Sequence, residues 1–148
     1  MSNIHQPVLL REIIDKIDFN VCNLFLDGTY GGGGHANEIL SKGSSVLALD
    51  NYKKSEIIAL SNQKFGEKFH FFRSNFKDID KIISEYKINK KFDCVLLDLG
   101  FSSNQLEDDT VGLSFKNDVP LNMNYADYEI SAYDILNDYT EEQLTKIS

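Results

Sequence analysis

Three aspartates, Asp27, Asp50 and Asp98, each close a short apolar run, and the first is followed by four consecutive glycines, Gly31 to Gly34, and then His35. An apolar run, an acid, a bare-backbone turn and a helix start form a site where a ligand can touch the main chain. Glycine lets the ligand approach, and the helix N-terminus offers amides without intrahelical partners together with the positive end of its dipole. A cofactor with polar ends is expected there.

Gly31, Gly33 and Ala36 satisfy G-x-G-x-x-G/A, a pattern also used for dinucleotides. Asp27 argues against that ligand, because a carboxylate stands where a pyrophosphate needs neutral or positive surroundings. No Gly-Lys-Ser/Thr follows the glycines, so a P-loop is excluded. S-adenosylmethionine has no phosphate and is cationic at its ammonium and its reactive sulfonium, so an acid beside the turn is tolerated or helpful. Asp50 lies seventeen positions after Gly33, near the ~20-residue offset at which an acid meets ribose hydroxyls. Phe76, after the third apolar run, is placed to lie against the adenine. Asp98 leaves the fourth run where a methyl acceptor meets the sulfonium, and is the candidate to accept or orient the acceptor's N–H. Singly, each acid reads as a common turn or cap residue; three in register around a glycine loop read as a site.

The elements that must position these residues follow from periodicity. Strands are expected over Leu24–Asp27, Ser45–Asp50, Lys68–Arg73 and Phe92–Asp98, the last apolar enough for both faces to be covered. Between them fall helical patterns from Pro7 to Ile17, from Ala36 to Lys42 with Gly43 as a stop, from Lys53 to Lys64 with Ile57, Ile58 and Leu60 on one side, and from Asp78 to Tyr86. This alternation predicts an α/β, doubly wound, Rossmann-like parallel sheet, with its ligand beyond the C-terminal strand ends. Residues 99–129 show no sustained period and read as a long functional loop. Short helices are expected over Ile130–Leu136 and Glu141–Ile147, the second with Thr140 and Gln143 as a capping box. Two domains are expected: residues 1–129 as the cofactor-binding core and residues 130–148 as the start of a helical insertion.

The 148 residues are 42% hydrophobic and carry a formal net charge of −8, which runs against a broadly basic nucleic-acid surface and confines any RNA contact to local patches or to segments beyond these residues. Cys22 and Cys94 lack CxxC or Cys/His spacing, so buried free thiols and no metal site are expected. No stretch approaches the ~20 apolar residues of a membrane span. The N-terminus shows neither signal peptide nor transit segment, and cytoplasm is the expectation.

His5-Gln-Pro-Val-Leu-Leu-Arg-Glu12, Asp27-Gly-Thr-Tyr-Gly-Gly-Gly-Gly-His35, Asn75-Phe76, Asp98-Leu-Gly-Phe-Ser-Ser-Asn-Gln-Leu106 and Gly112-Leu-Ser-Phe115 resemble, in order and spacing, the RsmH (MraW) family. The resemblance covers essentially the whole chain. It implies a class I S-adenosylmethionine-dependent methyltransferase core lacking its C-terminal part, and methylation of the exocyclic N4 amine of a cytosine in small-subunit (16S) ribosomal RNA. By position it places cofactor contacts on Gly33, Gly34, His35, Asp50, Phe76, Asp98 and Gln105, with ribosomal RNA or the 30S subunit as partner. Homodimer formation is left open. An unpaired target base would be held by stacking, for which Phe101 is placed.

The chain also departs from the family pattern. Val111 stands where arginine is usual, Leu113 where phenylalanine is usual, and Pro120-Leu-Asn-Met-Asn-Tyr125 replaces Pro-Leu-Asp-Met-Arg-Met. Asn51-Tyr-Lys-Lys54 replaces the usual acid-proline pair after Asp50. Family members run to about twice this length, and the chain is expected to stop within the helical insertion. Two further readings therefore stand beside the enzyme: a non-catalytic remnant that binds cofactor or a partner, and a nucleotide- or NAD-binding module, which Asp27 disfavours.

Overall fold

The computed structural model describes residues 7–116, 118–124 and 129–147, with the side chains of residues 103 and 104 outside the description. The chain divides into two compact units, 1–100 and 101–148.

The first unit is a parallel sheet of β1 (Leu24–Asp27), β2 (Ser45–Asp50), β3 (Phe69–Arg73) and β4 (Cys94–Leu96) in the order β3-β2-β1-β4. The register sets Asp27 beside Ala48 on one flank and Leu96 on the other, and Asp50 beside Arg73. Strand side chains alternate between faces, and the core divides accordingly. Phe25, Val46, Ala48 and Phe69 pack with Tyr30, Ala36, Ile39, Leu40 and Ala59. Leu26, Leu47 and Leu49 pack on the opposite face with Ile82. The helices are α1 (Leu10–Ile14), α2 (Gly34–Ser41), α3 (Lys53–Ala59) and α4 (Ile79–Glu85). This is the expected α/β Rossmann-like architecture.

Three elements differ from their periodicity. The first helix covers only Leu10–Ile14, because Leu9 at its N-cap takes a left-handed backbone conformation (φ 53°) that interrupts the pattern begun at Pro7. The helix from Lys53 becomes a 3₁₀ segment over Leu60–Lys68, and its buried side is Ser55, Ala59 and Asn62 while Ile57 and Leu60 are exposed. Small residues let the backbone approach closely, and the buried Tyr30 hydroxyl takes its partner from Asn62 Nδ2 at 3.1 Å. The fourth strand is confined to Cys94–Leu96. It lies at the sheet edge, so Val95 and Leu97 stay exposed rather than covered on both faces. Cys22 and Cys94 are free and half-buried against the first core cluster.

The second unit contains α5 (Ser103–Leu106), α6 (Ala132–Asp138) and α7 (Glu141–Ile147). Thr140 and Gln143 form the expected capping box, and Ser131 and Asp134 form another that the periodicity did not reveal. Backbone bonds from Ala132 to Asn122 and from Tyr133 to Leu121 tie α6 to the preceding loop. Compactness divides the chain at 100/101, whereas the domains expected from the sequence divide at 129/130.

Candidate functional site

The three acidic strand tips are joined through the loop that follows β1. Thr29 donates its N–H to Asp27 Oδ1 (3.1 Å), and its Oγ1 accepts the Asp98 N–H (2.7 Å). Two residues on, Gly31 donates its N–H to Asp50 Oδ2 at 2.6 Å, and Asp50 Oδ1 accepts the Tyr52 N–H at 2.8 Å. Gly28 and Tyr30 bond to Leu96 O and Leu49 O on opposite flanks, each at 3.0 Å. The loop is therefore stitched to both neighbours of β1, and each tip carries a different environment.

Asp27 is 1% exposed, Asp50 half-buried and Asp98 exposed. Burial pushes the Asp27 carboxyl up to about 7; the Thr29 N–H partly opposes this, and the charges of Asp50 and Asp98 add to it. Each Asp50 oxygen has a second lone pair beyond the backbone donor it accepts, so the carboxylate can still receive two ligand hydroxyls. Among the described residues no cluster of His, Cys, Asp or Glu is arranged to hold a metal ion.

The glycine loop is built for close approach. Gly33 has φ +74°, and a Cβ there would meet the Tyr30 hydroxyl at 2.5 Å, so a side chain fails on both backbone and space. Beneath it, Tyr30 is sealed in the core with edge contact to Phe71 at 5.3 Å. At Gly28 a Cβ would meet Leu97 Cδ2 at 2.5 Å and Phe76 Cβ at 3.2 Å. Phe76 therefore stands at the tips of β1 and β4 with 39% of its surface exposed. Pro7 packs over Gly34 at the start of α2. His35 is buried, with Nε2 3.1 Å from Val8 O; its imidazole is engaged by the N-terminal segment, which leaves its main chain as the part facing the loop end of the helix. His5 lies outside the described residues, as does Tyr125.

Asp27, Gly33, Gly34, His35, Asp50, Phe76 and Asp98 all belong to the first unit, and the loop bonds link the acids directly. Gln105 belongs to the second, where its Oε1 accepts the Ser102 N–H at 2.8 Å while Ser102 Oγ accepts the Gln105 N–H, so the side chain caps α5. Phe101, also in the second unit, is 56% exposed. Val111 is buried, an environment that suits valine, and Phe115 is fully exposed. An open groove of about 710 Å³ beside α1 and α2 is lined by Pro7, Arg11, Glu12, Glu38 and Lys42 among others, and by none of the three acids.

Sequence reasoning missed Thr29 and Tyr52. A threonine two residues after an acid carries no spacing signal of its own, and its bond to Asp98 exists only once β4 is beside β1.

The MraW methylase family matches residues 2–148. The chain is 38% identical over 156 residues to ribosomal RNA small subunit methyltransferase H of Fusobacterium nucleatum, covering 99% of this chain and 48% of that protein. It is 38% identical to the protein of the same name from Clostridium botulinum (strain Okra / Type B1), and 34% identical to that from Heliobacterium mobile, covering in each case 97% of this chain and 47% of the relative. The chain spans about half the length of these curated relatives. With a match that runs almost from end to end, it belongs to the MraW methylase family.

Proposed function

We propose that the chain supplies the S-adenosylmethionine-binding core of a methyltransferase acting on the exocyclic N4 amine of a cytosine in small-subunit (16S) ribosomal RNA, presented as RNA or within the 30S subunit. The observation that carries the reading is the loop Gly28–Gly34, whose amides and threonine hydroxyl hold three strand-tip acids around a bare backbone. Membership of a methylase family and the names of its relatives support the reaction class. A cationic donor suits an acid cluster; a pyrophosphate does not.

The residues fit the cofactor by role. Asp50, with a free lone pair on each oxygen, would accept the two ribose hydroxyls. The main chain at Gly33, Gly34 and His35 would meet the methionyl end, and Phe76 the adenine. Gln105 is assigned to the same ligand through the family's positions. When bound, S-adenosylmethionine supplies an electrophilic methyl group on a sulfonium.

The cytosine amine is a poor nucleophile because its lone pair is delocalised into the ring. This chain's contribution is therefore alignment and an acceptor for the N–H, which we assign to Asp98. Its backbone N–H is held by Thr29 Oγ1 while the residue is exposed, so an incoming base could reach its carboxylate. Phe101 would stack on the unpaired base. An RNA substrate of this kind fits a cytoplasmic protein.

A second reading, cofactor binding without turnover, is favoured by Asn122 and Asn124, which stand where the family has an acid and an arginine. A binding measurement and a methyl-transfer assay together decide between them. Calorimetric titration with S-adenosylmethionine should give saturable binding weakened at least tenfold in Asp50→Ala, which removes a pair of charge-assisted hydrogen bonds. Methyl incorporation into 30S subunits, mapped to a cytosine by mass spectrometry, identifies the enzyme. Binding without incorporation identifies the remnant, and tight NAD binding in its place would overturn both.

A further inference from the structure

Asp27 is the one strand-tip acid that no ligand can touch. It is 1% exposed and sits under the glycine loop, on the same face as Phe25 and beside Ala48. Its Oδ1 accepts the Thr29 N–H. The charges acting on it are those of Asp50 and Asp98, both negative. The buried Tyr30 phenol in the same loop is the further titratable group that feels its charge; His35 on α2 is engaged with Val8 O, and Arg73 is the β3 partner of Asp50 in register. A buried carboxyl with two other acids acting on it holds its proton to a higher pH than an exposed one, because desolvation and like charge both oppose ionisation.

The two nucleosides this site would meet differ by one charge at sulfur. Methyl transfer moves the methyl group from sulfur to nitrogen; the sulfur keeps the electron pair of the broken bond and becomes a neutral thioether, and the nitrogen sheds a proton. Both nucleosides keep the same ammonium, carboxylate, ribose and adenine. Direct contacts from Asp50, the glycine backbone and Phe76 therefore cannot separate them, whereas a charge acting through a water-poor interior can.

We infer that Asp27 is the residue by which this site discriminates the sulfonium donor from its thioether product: donor binding expels a proton from the buried Asp27 carboxyl, and product binding leaves it in place. This rests on the cofactor reading above and goes beyond it, since Asp27 acts through space and not by contact. It gives the fold a means of releasing product after each transfer. The linkage has a definite sign. Below the Asp27 titration the donor must displace a proton and binds more weakly as pH falls; above it the carboxylate is already charged and affinity levels off.

The test is a proton count on the unaltered 148-residue chain. Calorimetry with S-adenosylmethionine and with S-adenosylhomocysteine at pH 6 and pH 7, in buffers of different ionisation enthalpy, should show net proton release per donor bound, larger at the lower pH, and close to none per product. The ratio of donor to product affinity should rise by up to about tenfold per pH unit below 7 and flatten above it. In Asp27→Asn both the proton release and the pH dependence of the ratio should vanish. Equal proton release with both nucleosides, or none with either, overturns the inference while leaving the cofactor site standing. Failure of both nucleosides to bind overturns the cofactor reading itself, and the inference with it. Because the count needs no variant, it decides the matter even if Asp27→Asn does not fold.

Discussion

The two units of this chain are held together by different physics. In residues 1–100 the sheet buries apolar side chains on both faces, with Phe25, Ile39, Val46 and Leu49 at 0–1% exposure. In residues 101–148 the only buried hydrophobic residue among those described is Val111, and α6 and α7 bury none of theirs: Tyr133, Leu136 and Ile147 are all more than half exposed. Helices of seven residues are too short to persist on propensity. What fixes these two is termini, a capping box at Ser131/Asp134 and another at Thr140/Gln143. Apolar burial thus supports the acids of the first unit, while local polar bonds support the second. A precise electrostatic site needs the former, because charges are strengthened and held in place only where packing excludes water.

Changes that break this contrast should differ in size accordingly. Phe25→Ala removes a wholly buried ring that contacts Phe19 at 6.0 Å between centroids. It should cost about 3–5 kcal/mol, read as a lowered midpoint in denaturant unfolding.

Asp27→Asn should move stability the other way. The folded-state value of about 7 lies above the ordinary 3.8, so between these pH values the native state binds more protons than the unfolded chain, and the wild type loses stability as pH rises through that window. The asparagine variant should therefore be more stable at pH 8 by up to about 4 kcal/mol. That gain should shrink toward zero as pH falls to 4, as read by thermal unfolding across pH. A gain that does not vary with pH would show that Asp27 is not titrating within the fold.

The smallest effect belongs to the second unit. Ser131→Ala removes one cap and should cost about 1 kcal/mol, seen as faster amide exchange over residues 134–138 with the protection of β1 and β2 unchanged.

The site was legible where chemistry follows local spacing. An acid after an apolar run, a glycine cluster and a helix start mark a candidate ligand site from local spacing, and the structure sets Asp50 at the end of β2 and Gly33 and Gly34 at the start of α2. The Thr140/Gln143 box was equally legible, because both partners lie within one turn. Legibility failed where a residue's role depends on a neighbour far away in sequence. The exposure of Val95 reflects which strand ends the sheet, and the burial of Asn62 reflects a tyrosine hydroxyl that needs a partner.

By itself, then, the sequence determined the alternation of strands and helices, the two-residue parity that splits Phe25 from Leu26, and the backbone freedom at Gly33, since each depends on torsion angles and side-chain direction within a few residues. Tertiary structure alone decided that Thr29 would bind the backbone of Asp98, 69 positions away, and that Asp27 would lie sealed beneath the loop while Asp98 stayed open. The three acids have the same side chain and the same kind of strand before them. Only the packing of distant segments sets how much water each one keeps, and hydration governs how readily a carboxyl carries charge.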